Sequence, residues 1–485
     1  MGAYLSVSVR RTASWPACIA ATRDVMERHA WFPVAAALAA ICIVAPASAV
    51  QAETLSGAIA KAYRSNPDLG QQRAAVRVTD ENIPRQKSGY RPKVNATADI
   101  GLQATENSSS AGSSSSFNVP RGLGLTVTQT LWNGNRVENG VRSAESSTFG
   151  AREQLRNTEQ GVLQDTVTFY MNVLRDMALL SLRRNNIEVL TEQVRQTRDR
   201  FAVGDVTRTD VAQAEARLAQ SQSDGFVAQS NLQTSMASYR QVVGSEPKRL
   251  EPVKPYERGL PKSLEAAIAV SQAQHPSIQA LLHGVDAAQL NVKVIEGELY
   301  PTVGVTGALN KRWDVGGVSG TSSVSASLVG QLSVPLYEGG EVYARARQAK
   351  ETLSQQRLAA DLQRDKVRSA VVSAWGVYFS SAQVIRSALA QVAAAEIALN
   401  GVREEAKVGQ RTTLDVLNAQ QDLLNARVSL VTAQRDRVVG SYALLSATGR
   451  LSVATLGVKV ERYDPALHLN QVKDSWFGLR TPDGQ

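Results

Sequence analysis

The chain has 485 residues, enough for two or three ordinary domains. Its 43% apolar and 20% charged residues exclude a mainly disordered protein, and its two cysteines and four histidines exclude a disulfide scaffold or a Cys/His metal module. The net charge of +9 comes from charges of both signs that alternate along the chain, which argues against nucleic acid as a partner.

The first predicted element is an export signal in residues 1–52. An apolar run at 32–44 follows the basic Arg28 and precedes small residues at 47–49, which is the pattern of a cleaved secretory signal peptide. Met26, just upstream, is an alternative start. No later apolar run is long enough to predict a membrane-spanning helix. We therefore expect any crossing of a membrane to be made by strands.

The rest of the chain contains an internal repeat. Residues 54–67 resemble residues 263–276, and residues 131–134 resemble residues 336–339. Repetition over so long a period predicts two copies of one structural unit.

The repeat divides the chain into segments. The first copy is expected at 53–246 and the second at 263–450. Between them, four prolines at 247–262 mark a linker. The segment 451–485 follows the second copy.

The sequence of each copy predicts the same order of elements, which is helix, strand, loop, strand, long helix, turn and helix. Alternating apolar and polar residues predict the strands, and proline-free segments rich in Ala, Gln, Leu and Glu predict the long helices. The strands are expected at about 93–104, 118–132, 302–311 and 323–337. The long helices are expected at about 135–203, 207–243, 340–407 and 412–448.

The long helices must pack along partners, because a helix over 135–203 would be roughly 100 Å long. The last helix has apolar residues at spacings of three and four, which is typical of a coiled-coil seam, although one stripe of an ordinary helix bundle has the same spacing. The seam residues are Leu414, Leu417, Gln421, Leu424, Val428 and Val431.

The strands suggest a membrane barrel. Strands of about ten residues can cross a bilayer when tilted, whereas a soluble β-sandwich would alternate in the same way. Two hairpins between very long helices leave open edges, which lipid does not tolerate. We therefore expect a mainly α chain with a membrane β-barrel portion: three copies share one barrel of twelve strands, and a helical coiled-coil tunnel continues it. The Ser- and Gly-rich loops 106–117 and 314–321 would be exposed.

The turns between the long helices share the motif Gly-x-x-Thr-x-x-Asp-Val. Helix capping alone explains the Gly and Thr and part of the Asp. In a threefold tube, however, six turns would meet at one tip, and a ring of acids there would attract cations. Arg208 and Arg411 lie beside the acids, so Arg–Asp pairs between helices could hold the tip shut. The motif residues are Gly204, Thr207, Asp210 and Gly409, Thr412, Asp415.

Three motifs carry a family resemblance. They are Asn-Pro-Asp-Leu at 66–69, Leu-Ser-Val-Pro-Leu-Tyr-Glu-Gly-Gly at 332–340, and Val-Gly-Gln-Arg-Thr-Thr-Leu-Asp-Val-Leu-Asn-Ala-Gln at 408–420. With the duplication, they resemble the TolC family of outer-membrane efflux proteins over residues 54–450. The resemblance implies a homotrimer in the outer membrane of a Gram-negative bacterium, with a large periplasmic part. It places 247–262 in an equatorial belt and 451–485 in the same belt or in a disordered tail.

The resemblance also implies a function. The trimer would be the passive exit duct of tripartite efflux pumps, of type I protein secretion or of both. A periplasmic adaptor and an inner-membrane RND or ABC transporter would open it at its tip. No cofactor or metal is implied.

By position, Asp415 resembles the family's aperture acid, and Asp210 and Arg411 resemble members of its constriction network. Arg208, beside Asp210, is also expected at this periplasmic gate. The position of the family's second aperture acid is occupied here by Asn418, so this chain departs from the family pattern of a doubled ring of acids. The helix tips that would contact the adaptor are Gly204, Asp205, Val206, Thr207, Gly409, Gln410 and Thr412.

Two alternatives belong to other classes of protein. An enzyme would need a convergent nucleophile or metal cluster, but residues 53–485 contain no cysteine, only three histidines and no phosphate-loop pattern. A trimeric coiled-coil adhesin or structural spacer would share the helices and the membrane anchor without an open lumen. Small polar residues on one face of the strands favour a wetted lumen over this alternative.

Overall fold

The computed structural model describes residues 52–110, 112–315, 318–482 and 484, so nearly all of the predicted signal peptide lies outside the described residues. The helices are α1 (Leu55–Ser65), α2 (Pro67–Asp80), α3 (Asn82–Lys87), α4 (Arg136–Ala202), α5 (Arg208–Val243), α6 (Leu264–Gln274), α7 (Pro276–Glu296), α8 (Glu341–Lys407), α9 (Thr413–Ala447) and α10 (Pro465–Val472). The strands are β1 (Lys93–Ile100), β2 (Gln103–Ser109), β3 (Gly112–Asn118), β4 (Arg121–Trp132), β5 (Thr302–Trp313) and β6 (Ser322–Ser333).

Two helices dominate the molecule. Helices α4 and α8 each contain 67 residues, which makes each roughly 100 Å long. The bounds of α4, α5, α8 and α9 lie within one residue of the predicted ones. The mainly helical fold with a small membrane sheet is confirmed.

Glycine positions the start of α4. Gly134 has φ +66°, and a Cβ there would collide with the carbonyl oxygen of Gly297, which precedes the second pair of strands. Only glycine combines this backbone conformation with so close an approach. The second repeat has Gly339 and Gly340 at positive φ before α8. The chain therefore turns from strand to long helix in the same way in both repeats.

Four strands form one antiparallel sheet in the order β1-β4-β5-β6. The two inner strands come from different repeats, since β4 ends the first hairpin and β5 begins the second. Strands β1 and β6 each have one unpaired edge within the described part of this chain. Because the sheet has four strands of alternating direction, its edge strands β1 and β6 run in opposite directions. The β6 edge of one copy could therefore pair antiparallel with the β1 edge of another.

The register gives this sheet one apolar and one polar face. Residues directly paired in an antiparallel sheet lie on the same face, and successive residues alternate between faces. One row across the sheet consists of Ala96, Leu125, Leu309 and Ala326. The next row consists of Thr97, Gly124, Asn310 and Ser325.

The polar face is crowded with side chains. A Cβ on Gly124 would lie 2.7 Å from Oγ1 of Thr97 and 2.8 Å from Oδ1 of Asn310, so glycine makes room for them. Two rows away, on the same face, Arg312 lies 3.8 Å from Asp99. These groups need water or each other as partners, which is the requirement of a wetted surface.

Two strand predictions need correction. The segment 106–117, predicted as a loop, belongs mostly to a separate two-stranded sheet of β2 and β3. Its Ser-rich composition resembles a loop, but residues 103–109 pair in register with residues 112–118. The last strand ends at Ser333 rather than near 337, because Pro335 cannot donate to the ladder.

The linker and the C-terminal segment pack around the middle of the long helices. The buried Tyr170 of α4 lies within 2.8 Å of the carbonyl oxygens of Glu53 and Glu251, and it accepts from the backbone N–H of Glu251. Leu250 and Leu451 join the same apolar cluster. Within 451–485 the described residues include a helix, α10. Its His468 forms a hydrogen bond with Asp80 at the end of α2, which favours the packed alternative over a disordered tail for this part of the segment.

Helix α8 qualifies the expectation about membrane helices. By length and composition alone, α8 is apolar enough to cross a membrane, because one 18-residue window has a mean hydropathy of 1.2. Only 11% of that window is buried within this chain. Its large apolar side chains are spread over the helix rather than collected in one span. Those exposed include Leu358, Leu362, Val372, Val377, Phe379, Val384, Leu389 and Ile397.

Candidate functional site

The two turns that join the long helices are the candidate site. In the first turn, α4 ends before Gly204, which has φ +80°. The backbone N–H of Asp205 then donates to the carbonyl of Arg200 at 2.9 Å, and the Asp205 carboxylate accepts from Nε of Arg200 at 2.6 Å. Val206 is half-buried. The turn is thus closed both by backbone bonds and by an ion pair.

Helix α5 begins with a capping box. The Thr207 backbone N–H and hydroxyl donate to Oδ2 of Asp210 at 2.9 and 2.7 Å, and Thr207 Oγ1 accepts from the Asp210 backbone N–H at 3.3 Å. Two donors at the start of the helix are satisfied in this way. Arg208 has no hydrogen-bond or ion-pair partner within the described part of the chain.

The second turn repeats this geometry. Gly409 has φ +79°, and the exposed Gln410 donates its backbone N–H to Glu405 at 2.9 Å. Thr412 and Asp415 form the capping box of α9, with bonds of 3.0, 2.9 and 3.2 Å.

The ion pairs of the two turns have opposite polarity. In the first turn the arginine, Arg200, is on the long helix and the acid, Asp205, is in the turn. In the second turn Glu405 is on the long helix, and Arg411, in the turn, donates to it at 2.8 Å. The predicted Arg–Asp pair between the two turns is therefore not formed within this chain, because Arg411 is held by its own helix.

Both capping acids stay ionised. The hydroxyl and backbone N–H of Thr207 lower the pKa of Asp210 below its ordinary value. The backbone N–H and hydroxyl of Thr412 lower the pKa of Asp415. The Glu405 carboxylate raises the pKa of Arg411. Each turn therefore presents a fixed negative charge that does not titrate near neutral pH.

A contact between the repeats lies close to the turns. Nη2 of Arg217, on α5, donates to Oδ1 of Asn418, on α9, at 3.0 Å. Arginine side chains on a helix lean toward its N-terminus, so Arg217 reaches back toward the tip. Leu417, the neighbour of Asn418, packs with Leu190 and Val194 of α4 in one buried cluster. The two helical hairpins are thus joined by packing with a polar contact beside it.

Sequence reasoning missed Arg217. No motif contains it, and its partner lies 201 residues away in the chain. The available signal was the departure at Asn418, since an amide where an acid was expected is a suitable acceptor for a nearby guanidinium.

A polar groove separates the hairpins above the turns. It has a volume of about 690 Å³ and runs between α4 and the α8–α9 hairpin. Its walls carry charges of both signs, including Glu188, Glu192, Arg200, Arg403, Glu404 and Lys407. Among the described residues, no group of three His, Cys, Asp or Glu side chains is placed to hold a metal ion.

Comparison with known proteins finds a family model that matches both repeats. The family model described as outer membrane efflux protein matches residues 58–245 and 267–450. Each matched range contains one of the two turns.

Two relatives and one solved structure are similar over most of the chain. The outer membrane efflux protein BepC of Brucella suis biovar 1 (strain 1330) is 42% identical over 452 residues, covering 93% of this chain and 97% of that protein. The outer membrane protein TolC of Escherichia coli (strain K12) is 24% identical over 423 residues, with 83% of each chain covered. The Campylobacter jejuni CmeC outer membrane channel has a TM-score of 0.74 at 17% identity, covering 87% of this chain and 89% of that one.

Proposed function

The chain belongs to the outer membrane efflux protein family, and from this premise we propose that three copies form one passive exit duct across the outer membrane. The duct serves tripartite efflux pumps, type I protein secretion or both. An inner-membrane RND or ABC transporter supplies the energy, and a periplasmic adaptor links it to the helical tip.

The sheet supports pooling of strands between copies. A four-stranded sheet with free edges at β1 and β6 has unsatisfied backbone groups that lipid cannot satisfy. Pairing of β6 with β1 of the next copy removes both edges, and three copies give the twelve strands proposed. The apolar face turns to lipid and the polar face, with Asn310 and Asp99, lines the lumen.

The helices support the same assembly below the membrane. Helix α8 packs on α6, α7 and α9, and its exposed large side chains include Leu358, Phe379 and Ile397. Apolar surface left exposed along a long helix favours an interface with a partner. Packing of α8 against a neighbouring copy would bury it and close the tunnel wall.

The turns form the aperture of this tunnel. Asp415 is the aperture acid and Asp210 belongs to the constriction network, and three copies would bring six such acids together at the tip. Asn418 replaces one acid of the family pattern, and Arg217 adds a positive charge beside it. The aperture therefore has weaker cation selectivity than one with two acids in each second-repeat turn.

The tip also receives the adaptor. Gly204, Asp205, Gly409 and Gln410 are exposed at the ends of the hairpins, and the polar groove lies beside them. An adaptor that docks where α5 and α9 meet, beside the tip, would compete with the Arg217–Asn418 bond. An exposed polar contact contributes little to stability, so this bond is weak enough for a partner to displace.

A deletion strain tests the physiological role. We expect loss of the protein to increase sensitivity to detergents, dyes and antibiotics, to reduce secretion of particular proteins, or both, with restoration by the wild-type chain. A coiled-coil spacer or adhesin would leave both phenotypes unchanged. That result would exclude the proposed duct.

A further inference from the structure

A basic pocket lies where the α1–α2 corner meets the C-terminal segment. It is a cavity of about 540 Å³, within the size range of small-molecule sites. We define the basic pocket by its four arginines, which are Arg64, Arg73, Arg77 and Arg462. Two acids, Glu461 and Asp464, also line it.

Arg73 is fixed in place at this pocket. Its guanidinium carbon lies 4.7 Å from the ring centroid of Tyr63 and 5.3 Å from that of Tyr463. Its Nη2 donates to the carbonyl oxygen of Tyr63 at 2.9 Å. Aromatic contacts on a guanidinium hold its orientation without neutralising its charge. Arg73 is thus positioned before any ligand arrives.

The positive charge of the pocket is only partly compensated. Within the described part of the chain, no carboxylate lies at ion-pair distance from Arg64, Arg73 or Arg462. Of the two lining acids, Asp464 uses Oδ1 to cap α10, where it accepts from the backbone N–H of Ala466 at 2.8 Å. Three guanidinium groups with no ion-pair partner among the described residues therefore face one cavity, and the charge of Glu159 acts on two of them, Arg73 and Arg462.

We propose that the basic pocket binds a small anion with two or more phosphate or carboxylate groups. Planar guanidinium groups recognise such oxyanions through pairs of N–H donors. Several arginines around one cavity suit an anion with several charged groups better than a monovalent one. The site is separate from the aperture, so its occupation is independent of the proposed duct.

Titration of the detergent-solubilised full chain tests this inference. Pyrophosphate probes the phosphate class and citrate the carboxylate class, each measured calorimetrically against chloride at constant ionic strength. We expect saturable binding at one site per chain. Binding of pyrophosphate alone, citrate alone or both supports the proposal and identifies the class. Absence of saturable binding for both anions overturns it.

A pair of substitutions tests the location. Arg64 and Arg462 are exposed and their side chains make no hydrogen bond or ion pair within the described residues, so Arg64→Gln combined with Arg462→Gln should preserve the fold. The affinity should fall at least about tenfold with the loss of two charged donors. Arg85→Gln, an exposed arginine outside the pocket, is the matched control and should keep the wild-type affinity. An equal loss in the control would show general charge attraction and overturn the proposal.

Discussion

Replacement of Tyr170 by Phe tests how the middle of the molecule is held together. The Tyr170 side chain is 0% exposed. Its hydroxyl lies 2.7 Å from the carbonyl oxygen of Glu53 and 2.8 Å from that of Glu251, and it accepts from the Glu251 N–H at 2.9 Å. Burial raises the pKa of Tyr170 to about 12, so the phenol stays protonated and can donate at any physiological pH. One hydroxyl thus joins the start of the first repeat to the linker.

The size of the effect follows from these contacts. Phenylalanine keeps the ring, so little apolar packing is lost. The variant removes the hydroxyl partner of the Glu251 carbonyl oxygen, whereas the Glu251 N–H and the Glu53 carbonyl keep their own bond of 3.2 Å. Loss of such a partner costs about 1–3 kcal/mol in the free energy of unfolding. We expect the lower part of that range, because two of the three backbone groups stay bonded to each other.

The assay is guanidinium-induced unfolding of the detergent-solubilised protein, followed by far-UV circular dichroism. Tyr442→Phe is the matched control. The Tyr442 side chain is 7% exposed, and its hydroxyl has no hydrogen-bond partner within the described residues. Its loss should change the free energy of unfolding by less than about 0.5 kcal/mol. Equal effects of the two substitutions would refute the role assigned to the Tyr170 hydroxyl.

Four further predictions concern the aperture and are measured by single-channel recording. Asp415→Ala should weaken cation selectivity and block by trivalent cations, and unchanged selectivity would remove Asp415 from the axis. Because Thr412 lowers the pKa of Asp415 below 3.8, wild-type selectivity should be constant from about pH 8 to about pH 5, whereas a change in that interval would contradict this assignment. Arg217→Gln and Asn418→Asp should each increase cation selectivity, and a decrease in either would exclude this charge arrangement. Arg411→Ser and Glu405→Gln should raise conductance to a similar extent if their ion pair holds the turn, and an effect of Arg411→Ser alone would indicate a partner in another copy.

Local features of the sequence predicted the long helices and their turns well. Proline-free segments of good helix formers determine α4, α5, α8 and α9, and each end has a residue suited to it. Gly204 and Gly409 end the long helices in the left-handed conformation, and Thr207 and Thr412 begin the next ones. These effects act within one or two turns of helix, so they can be read from neighbouring residues.

The remainder depends on contacts between distant residues. The Arg217–Asn418 bond depends on how α5 and α9 pack, which no local pattern determines. Tyr170 has no sequence neighbour among its backbone partners. The pairing of β2 with β3 was missed because serine is common in loops. The pairing becomes visible only when the two segments are aligned residue by residue. Roles in an assembly of several copies stay predictions, since they depend on surfaces of more than one chain.

The most direct test of the central proposal is the mass of the detergent-solubilised assembly, measured together with its conductance in a planar bilayer. The account predicts three copies in one particle that conducts ions through a continuous water-filled path. A stable monomer, or a threefold particle that does not conduct under any condition that opens the tip, would contradict it.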